Sequence, residues 1–166
     1  MSPRLGAFSL SAVVFAADRL TKLWIETSMS LTEVHTVIPG FFDIVHSQNR
    51  GAAFSLFAES SSAWRAFFLI GVAAVAMVFI AGMLWSAARL DRATRVALAL
   101  IFGGAAGNLF DRIATGTVTD FLDFYVGRLH WPAFNLADSA IVIGSGLLLL
   151  DLLKPKRQPR TDAHVS

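Results

Sequence analysis

Residues 66–88 read AFFLIGVAAVAMVFIAGMLWSAA, 23 consecutive positions without a charge. About 18 or more such residues suffice, at 1.5 Å of helical rise each, to cross the hydrocarbon core of a bilayer. The stretch makes this a membrane protein, and the remaining chain is read around it. Three other uncharged apolar runs are shorter: Leu5–Ala17 has 13 residues, Val96–Phe110 has 15 and Ser139–Leu150 has 12. Each reaches spanning length only by extending through its polar neighbours as helix, because backbone in lipid must satisfy its own hydrogen bonds. The expectation is an all-α membrane protein with four transmembrane helices, at about 5–25, 64–88, 94–113 and 135–153.

Composition agrees with that class. The 166 residues are 55% hydrophobic and only 16% charged, with mean hydropathy +0.59, whereas soluble domains are about a quarter charged. Residues 1–154 are expected to form one integral membrane domain, followed by a disordered cytoplasmic tail at 155–166. A net charge of +2, with the basic residues tied to segment ends, gives no nucleic-acid surface. The chain has no cysteine, so disulfides, thiolate metal sites, a cysteine nucleophile and lipid attachment through cysteine are all excluded. Arg4 ahead of an apolar run ending in Phe15-Ala16-Ala17 also fits a cleaved secretory signal. Three further membrane segments, and Asp18 with Lys22 four residues later in the favourable order for a helical ion pair, favour a retained helix.

Basic residues set the orientation. Arg4, the Arg89–Arg92–Arg95 turn and the Lys154, Lys156, Arg157, Arg160 cluster place both termini and the middle turn in the cytoplasm. The connections 26–63 and 114–134 then lie outside. In the first, Glu33 to Ser47 carries β-branched and aromatic residues around Pro39-Gly40, the pattern of two strands joined by a turn. A small extracytoplasmic β-rich subdomain is therefore expected between helices 1 and 2. Phe54, Leu56, Phe57 and Trp64 suggest a segment in the membrane interface.

Within this topology the ionisable residues of the apolar segments stand out, since a charge at membrane depth is costly and by default functional. Asp18, Asp111, Arg112 and Asp138 all fall towards the outer side. Gly103, Gly104 and Gly107 give the third helix a surface that another backbone can approach closely. Asn108, Asp111 and Arg112 share one face of that helix. An Asp111–Arg112 charge network between helices is the bland reading of those two, although the guanidinium also suits phosphate or carbonyl oxygens. Asp151, beside Lys154, reads as a solvated terminal charge.

Asp120 in Val118-Thr119-Asp120-Phe121 and Asp138 in Phe134-Asn135-Leu136-Ala137-Asp138-Ser139 are two acids that the short intervening connection can bring together. At close range, burial and like-charge repulsion leave such a pair with one shared proton near neutrality. That is the requirement for peptide hydrolysis by two aspartates: one takes a proton from water, the other polarises the carbonyl and serves the leaving amine. Spacing alone leaves two alternatives open, a proton or ion pathway and a structural role in which Asp138 caps its helix. Asp123 competes with Asp120, though its loop position reads as solvated.

Taken together, five blocks resemble the lipoprotein signal peptidase family (signal peptidase II), bacterial inner-membrane aspartic peptidases. They are Asp18-Arg19-Leu20-Thr21-Lys22, Asn49-Arg50-Gly51-Ala52-Ala53-Phe54, Gly103-Gly104-Ala105-Ala106-Gly107-Asn108-Leu109-Phe110-Asp111-Arg112, and the two blocks holding Asp120 and Asp138. The resemblance implies removal of signal peptides from prolipoproteins, by cleavage before a cysteine that carries diacylglycerol. It makes Asp120 and Asp138 the catalytic pair, with Asn49, Gly51, Asn108, Arg112 and Asn135 on the substrate or the dyad. Asp18, Lys22 and Asp111 become supports. Arg19 is the one departure, standing where glutamine is common. No metal or other cofactor is needed by such a dyad. The expected partners are diacylglyceryl-modified prolipoproteins and membrane lipid, with no nucleic acid, and the enzyme is expected as a monomer in the inner membrane with its site facing the periplasm. A small proton-coupled transporter or channel component is the alternative function.

Overall fold

The computed structural model describes residues 1–51 and 62–153. Phe54, Leu56 and Phe57 of the expected interface segment, and the tail 155–166, lie outside the described residues. Among the described residues there are four long helices: α1 (Pro3–Ser28), α2 (Ser62–Trp85), α3 (Arg92–Ala114) and α4 (Leu136–Leu152). A short 3₁₀ turn at Ala87–Arg89 joins α2 to α3. Ser2 caps α1 through Leu5 N, with Pro3 supplying a preset first turn; Asp91 caps α3 through Thr94 N at 3.0 Å. At the far end of α4, Thr94 also donates to Asp151 at 2.9 Å, so Asp151 ties two helices together and is not the free terminal charge expected.

Among the described residues two stretches are long and apolar enough to cross a membrane, Ala66–Trp85 and Arg92–Ala114. The side chains of α2 point largely outward: Phe67 is 70% exposed, Val78 and Phe79 72%. α3 is the opposite, the central helix, in contact with α4, α1 and α2. Its glycines make that packing possible. A Cβ on Gly103 would lie 2.6 Å from the Ser11 carbonyl oxygen and 2.8 Å from Val14 Cβ, and one on Gly104 or Gly107 would run into the Ala137 backbone or the Asp18 carboxylate. Close approach without large side chains brings α1 and α4 onto the same polar stretch of α3.

Above one end of the helices sits a four-stranded antiparallel sheet, β1 (Val34–Ile38), β2 (Phe42–Asn49), β3 (Val118–Val126) and β4 (Leu129–His130), in that spatial order. The hairpin expected around Pro39-Gly40 is there, with Gly40 at φ +80°. The sheet is not confined to the segment between helices 1 and 2, however. Half its strands come from the connection between α3 and α4, and Asp120 and Asp123 lie on a strand instead of in a loop. Phe121, Ile25 and Met29 form the core that seats the sheet on the end of α1.

Candidate active site

The polar residues of α1, α3, β3 and α4 meet where the sheet rests on the helices. β3 is fastened to the segment before α4 by backbone bonds: Phe121 N and Leu122 N donate to the Phe134 carbonyl at 3.0 and 2.8 Å, and Phe134 N donates to Leu122 O at 3.1 Å. Phe124 stacks on Phe134 at 5.8 Å and on Phe42 at 4.6 Å. Phe134 is thus held beside Asp120, and its chain neighbour Asn135 arrives at the Asp120 carboxylate.

Asn135 is fully buried. It is the N-cap of α4, its Oδ1 accepting from Asp138 N at 2.9 Å while Asp138 Oδ2 accepts from Asn135 N at 3.3 Å. This is a capping box built from an asparagine and an aspartate. The structural role considered for Asp138 is therefore present, but it uses only one carboxylate oxygen. Oδ1 accepts from Asn108 Nδ2 at 2.7 Å. At its other end, Asn135 Nδ2 donates to Asp120 Oδ1 at 2.7 Å and lies 3.2 Å from Asn108 Oδ1. Asp120 and Asp138 are joined through one asparagine side chain.

The second oxygen of Asp120 accepts from Asn49 Nδ2 at 3.0 Å. Asn49 ends β2, and its Oδ1 accepts from Gly51 N at 2.7 Å. Gly51 has φ +81°, and a Cβ there would sit 2.6 Å from Leu69 Cδ1 of α2, so only glycine fits this turn without strain. Asp120 is 3% exposed. Burial, with the Asp138 charge adding to it against the Asn49 and Asn135 donors, pushes its carboxyl up to about 6. Arg112 donates to the Asn108 carbonyl at 3.2 Å, and its charge acts on Asp138, Asp120 and Asp111.

The interhelical charge network expected of Asp111 and Arg112 is present for Asp111, but with cations of α1 as its ion-pair partners. Asp111 bridges two of them, Arg19 through Oδ1 and Lys22 through Oδ2, the latter at 2.6 Å. The Asp18–Lys22 ion pair is present at 2.8 Å, with both side chains fully buried. Asp18 Oδ1 accepts from Ala137 N at 2.9 Å, which anchors the first turn of α4 to α1. Asp123 alternates to the opposite face of β3 from Asp120. It is largely buried rather than solvated and pairs with His130 at 2.9 Å.

Two contributors went unread in the sequence. Arg19 belongs to the charge cluster, and Thr119 donates to Glu26 at 2.7 Å, locking β3 to α1. The signal for β3 was available: Val118–Val126 is rich in β-branched and aromatic residues and is bounded by Gly116 and Gly127, both with positive φ. Beside Asp138 an apolar groove of about 530 Å³ opens between Trp131–Phe134 and the Ser139, Val142 and Ile143 face of α4. A buried carboxyl pushed up to about 6 and interacting with a second carboxylate at the mouth of an apolar groove can perform general acid–base chemistry on an amphiphilic substrate.

A family model described as signal peptidase (SPase) II matches residues 10–154. A lipoprotein signal peptidase of Solibacter usitatus is 57% identical over 155 residues, covering 93% of this chain and 94% of that protein. The lipoprotein signal peptidase of Geobacter metallireducens is 42% identical over 163 residues, covering 98% and 99%. A bacterial membrane enzyme solved by the in meso method at 1.9 Å resolution matches with TM-score 0.79 and 32% identity, over 90% of this chain and 93% of that one.

Proposed function

The chain belongs to the signal peptidase II family, a family of lipoprotein-processing peptidases among bacterial membrane enzymes, and we propose that it works as an aspartic endopeptidase with Asp120 and Asp138 as its dyad. The observation that carries this reading is the place of Asn135 between the two acids, its backbone N–H donating to the Asp138 carboxylate and its Nδ2 to the Asp120 carboxylate. The shared proton rests on Asp120, the buried partner whose carboxyl is pushed up to about 6. Asp138, at the positive end of α4 and accepting from Asn108 and Asn135, is the ionised base.

In the reaction Asp138 removes a proton from water as the oxygen attacks the scissile carbonyl, and Asp120 gives its proton to the carbonyl oxygen. On collapse Asp138 passes its proton to the leaving amine and Asp120 recovers one from the hydrated carbon, so one water is consumed and the dyad is restored. Asn49, Gly51, Asn108 and Asn135 hold the pair, and Arg112 offers its fork to a substrate carbonyl or phosphate oxygen. Asp18, Lys22 and Asp111 support the assembly from α1 and α3.

The substrate class follows from where the dyad lies. Residues 1–154 form one monomeric domain whose four helices all span the inner membrane, the termini and the tail 155–166 are cytoplasmic, and the sheet and site face the periplasm. A prolipoprotein with a diacylglyceryl-modified cysteine presents its cleavage site at that boundary, and the apolar groove beside Asp138 accepts the amphiphilic substrate. The transporter alternative needs acids along a path through the helices. Among the described residues Asp18, Asp111, Asp120 and Asp138 gather at one end, while Asp91 and Asp151 at the other are bound to Thr94. The test is cleavage by purified protein of one prolipoprotein with and without diacylglycerol on its cysteine. Cleavage of the modified form alone is expected; equal cleavage of both, or of neither, overturns the substrate assignment.

A further inference from the structure

The charged end of α1 does more than tie helices together. Lys22 has three N–H donors and no acceptor, and they face Asp18 Oδ2 at 2.8 Å, Asp111 Oδ2 at 2.6 Å and Asn108 Oδ1 at 3.0 Å. A donor at that place decides which way the Asn108 amide lies. Turned over, its Nδ2 would oppose two donors, Lys22 Nζ and Asn135 Nδ2, and its Oδ1 would oppose the Asp138 carboxylate. Lys22 therefore aims Asn108 Nδ2 at Asp138. Asp111 Oδ1 is held by Arg19, whose guanidinium also lies 4.8 Å from the centre of the Phe110 ring. Arg19 plays no part in the proposed reaction, yet it completes the arrangement.

We propose that Arg19 is a positioning residue for the dyad: by holding Asp111 it keeps Lys22 directed at Asn108, and its charge brings the buried cluster beside Asp138 to neutrality. The inference rests on the aspartyl-dyad reading. Asp18 and Asp111 supply two negative charges to the cluster, Lys22 and Arg19 two positive ones. Arg112 from α3 also acts on both dyad carboxylates, and Glu26 from α1 is held by Thr119, the residue before Asp120. Removing Arg19 leaves the cluster one unit negative, which favours protons on both dyad carboxyls. A unit charge at roughly 10–15 Å through an effective dielectric of about 20–40 moves such a titration by about half to one pH unit.

The experiment compares pH profiles of kcat and kcat/KM on a diacylglyceryl-modified prolipoprotein for wild type, Arg19→Gln, Arg19→Lys and the double variant Arg19→Gln, Asp111→Asn. Glutamine keeps a donor for Asp111 and removes only the charge. Arg19→Gln is expected to move both limbs of the bell upward by about half to one unit, with KM changed less than about twofold. Arg19→Lys is expected to return the profile to that of wild type. So is the double variant, whose cluster is again neutral. An unshifted profile in Arg19→Gln overturns the proposal, as does a profile that neither compensating variant restores. Cleavage that survives Asp120→Asn would instead overturn the dyad, so the two failures are distinguishable.

Discussion

Replacing Asn135 separates helix capping from dyad support, because its two ends do different work. Oδ1 caps α4 through Asp138 N at 2.9 Å, and Nδ2 donates to Asp120 Oδ1 at 2.7 Å. Asn135→Ala removes the cap, worth about 1 kcal/mol, and strands a buried carboxylate oxygen, costing about 1–3 kcal/mol. The sum is about 3 kcal/mol, or a fall of about 6–12 °C in melting temperature for a chain of this size. Asn135→Ser keeps a capping oxygen and loses Nδ2, the donor to Asp120 that also serves Asn108 Oδ1 and the Thr119 carbonyl, so its fall is about two-thirds as large. Both variants release Asp120 from a donor that holds its carboxyl down, so its titration rises further above about 6. The folded-state value already exceeds the ordinary 3.8, so the fold binds this proton more tightly than the unfolded chain does; the stability it contributes is full at low pH and is lost as pH rises through about 6. Since loss of the Asp120 proton sets the alkaline limb of kcat/KM, that limb moves to higher pH in Asn135→Ser. Tryptophan fluorescence melts and a pH profile on lipid-modified substrate measure both effects. An Asn135→Ala protein melting within about 2 °C of wild type, or an alkaline limb that moves down in Asn135→Ser, would refute the reasoning.

Three further substitutions test the surrounding framework. Lys22→Met leaves Asp18 and Asp111 buried without their shared cation, and a loss of about 3–5 kcal/mol is expected in thermal unfolding, together with a large fall in kcat as Asn108 is released. Gly104→Ala puts a Cβ against the Ala137 carbonyl at the α3–α4 contact; a destabilisation of about 1–3 kcal/mol is expected, with reduced cleavage because Ala137 directly precedes Asp138. Asp123→Asn is expected to retain cleavage within about twofold of wild type, since its side chain pairs with His130 on the other face of β3; abolished cleavage with an unchanged melt would return Asp123 to the dyad.

Much of this arrangement was legible in the residues. Uncharged runs marked the helices, and the Asp18–Lys22 spacing announced an ion pair that forms as expected. The hairpin around Pro39-Gly40 was readable because turn chemistry is local. What escaped depends on contacts distant in sequence. Val118–Val126 had the composition of a strand, but its partner β2 lies some seventy residues earlier, and the long apolar segments on either side made it read as a connecting loop. Asp111 and Arg112 read as one interhelical charge network because both fall on the Asn108 face of α3. Adjacent residues point about 100° apart around a helix, so Asp111 faces the cations of α1 while Arg112 turns towards Asp120 and Asp138. Asn135 was expected at the site, but no spacing rule showed that one amide would cap a helix and bridge two acids.

In the proposed reaction the activation of water depends on Asp120 and Asp138 together. That dependence is tested most directly by single-turnover cleavage of a diacylglyceryl-modified prolipoprotein by wild type, Asp120→Asn and Asp138→Asn, each first shown to be folded by its melting curve and to bind the substrate. Both variants are expected to bind and neither to cleave, their rates falling at least about a thousandfold. Cleavage at near wild-type rate by either folded variant would contradict that dependence.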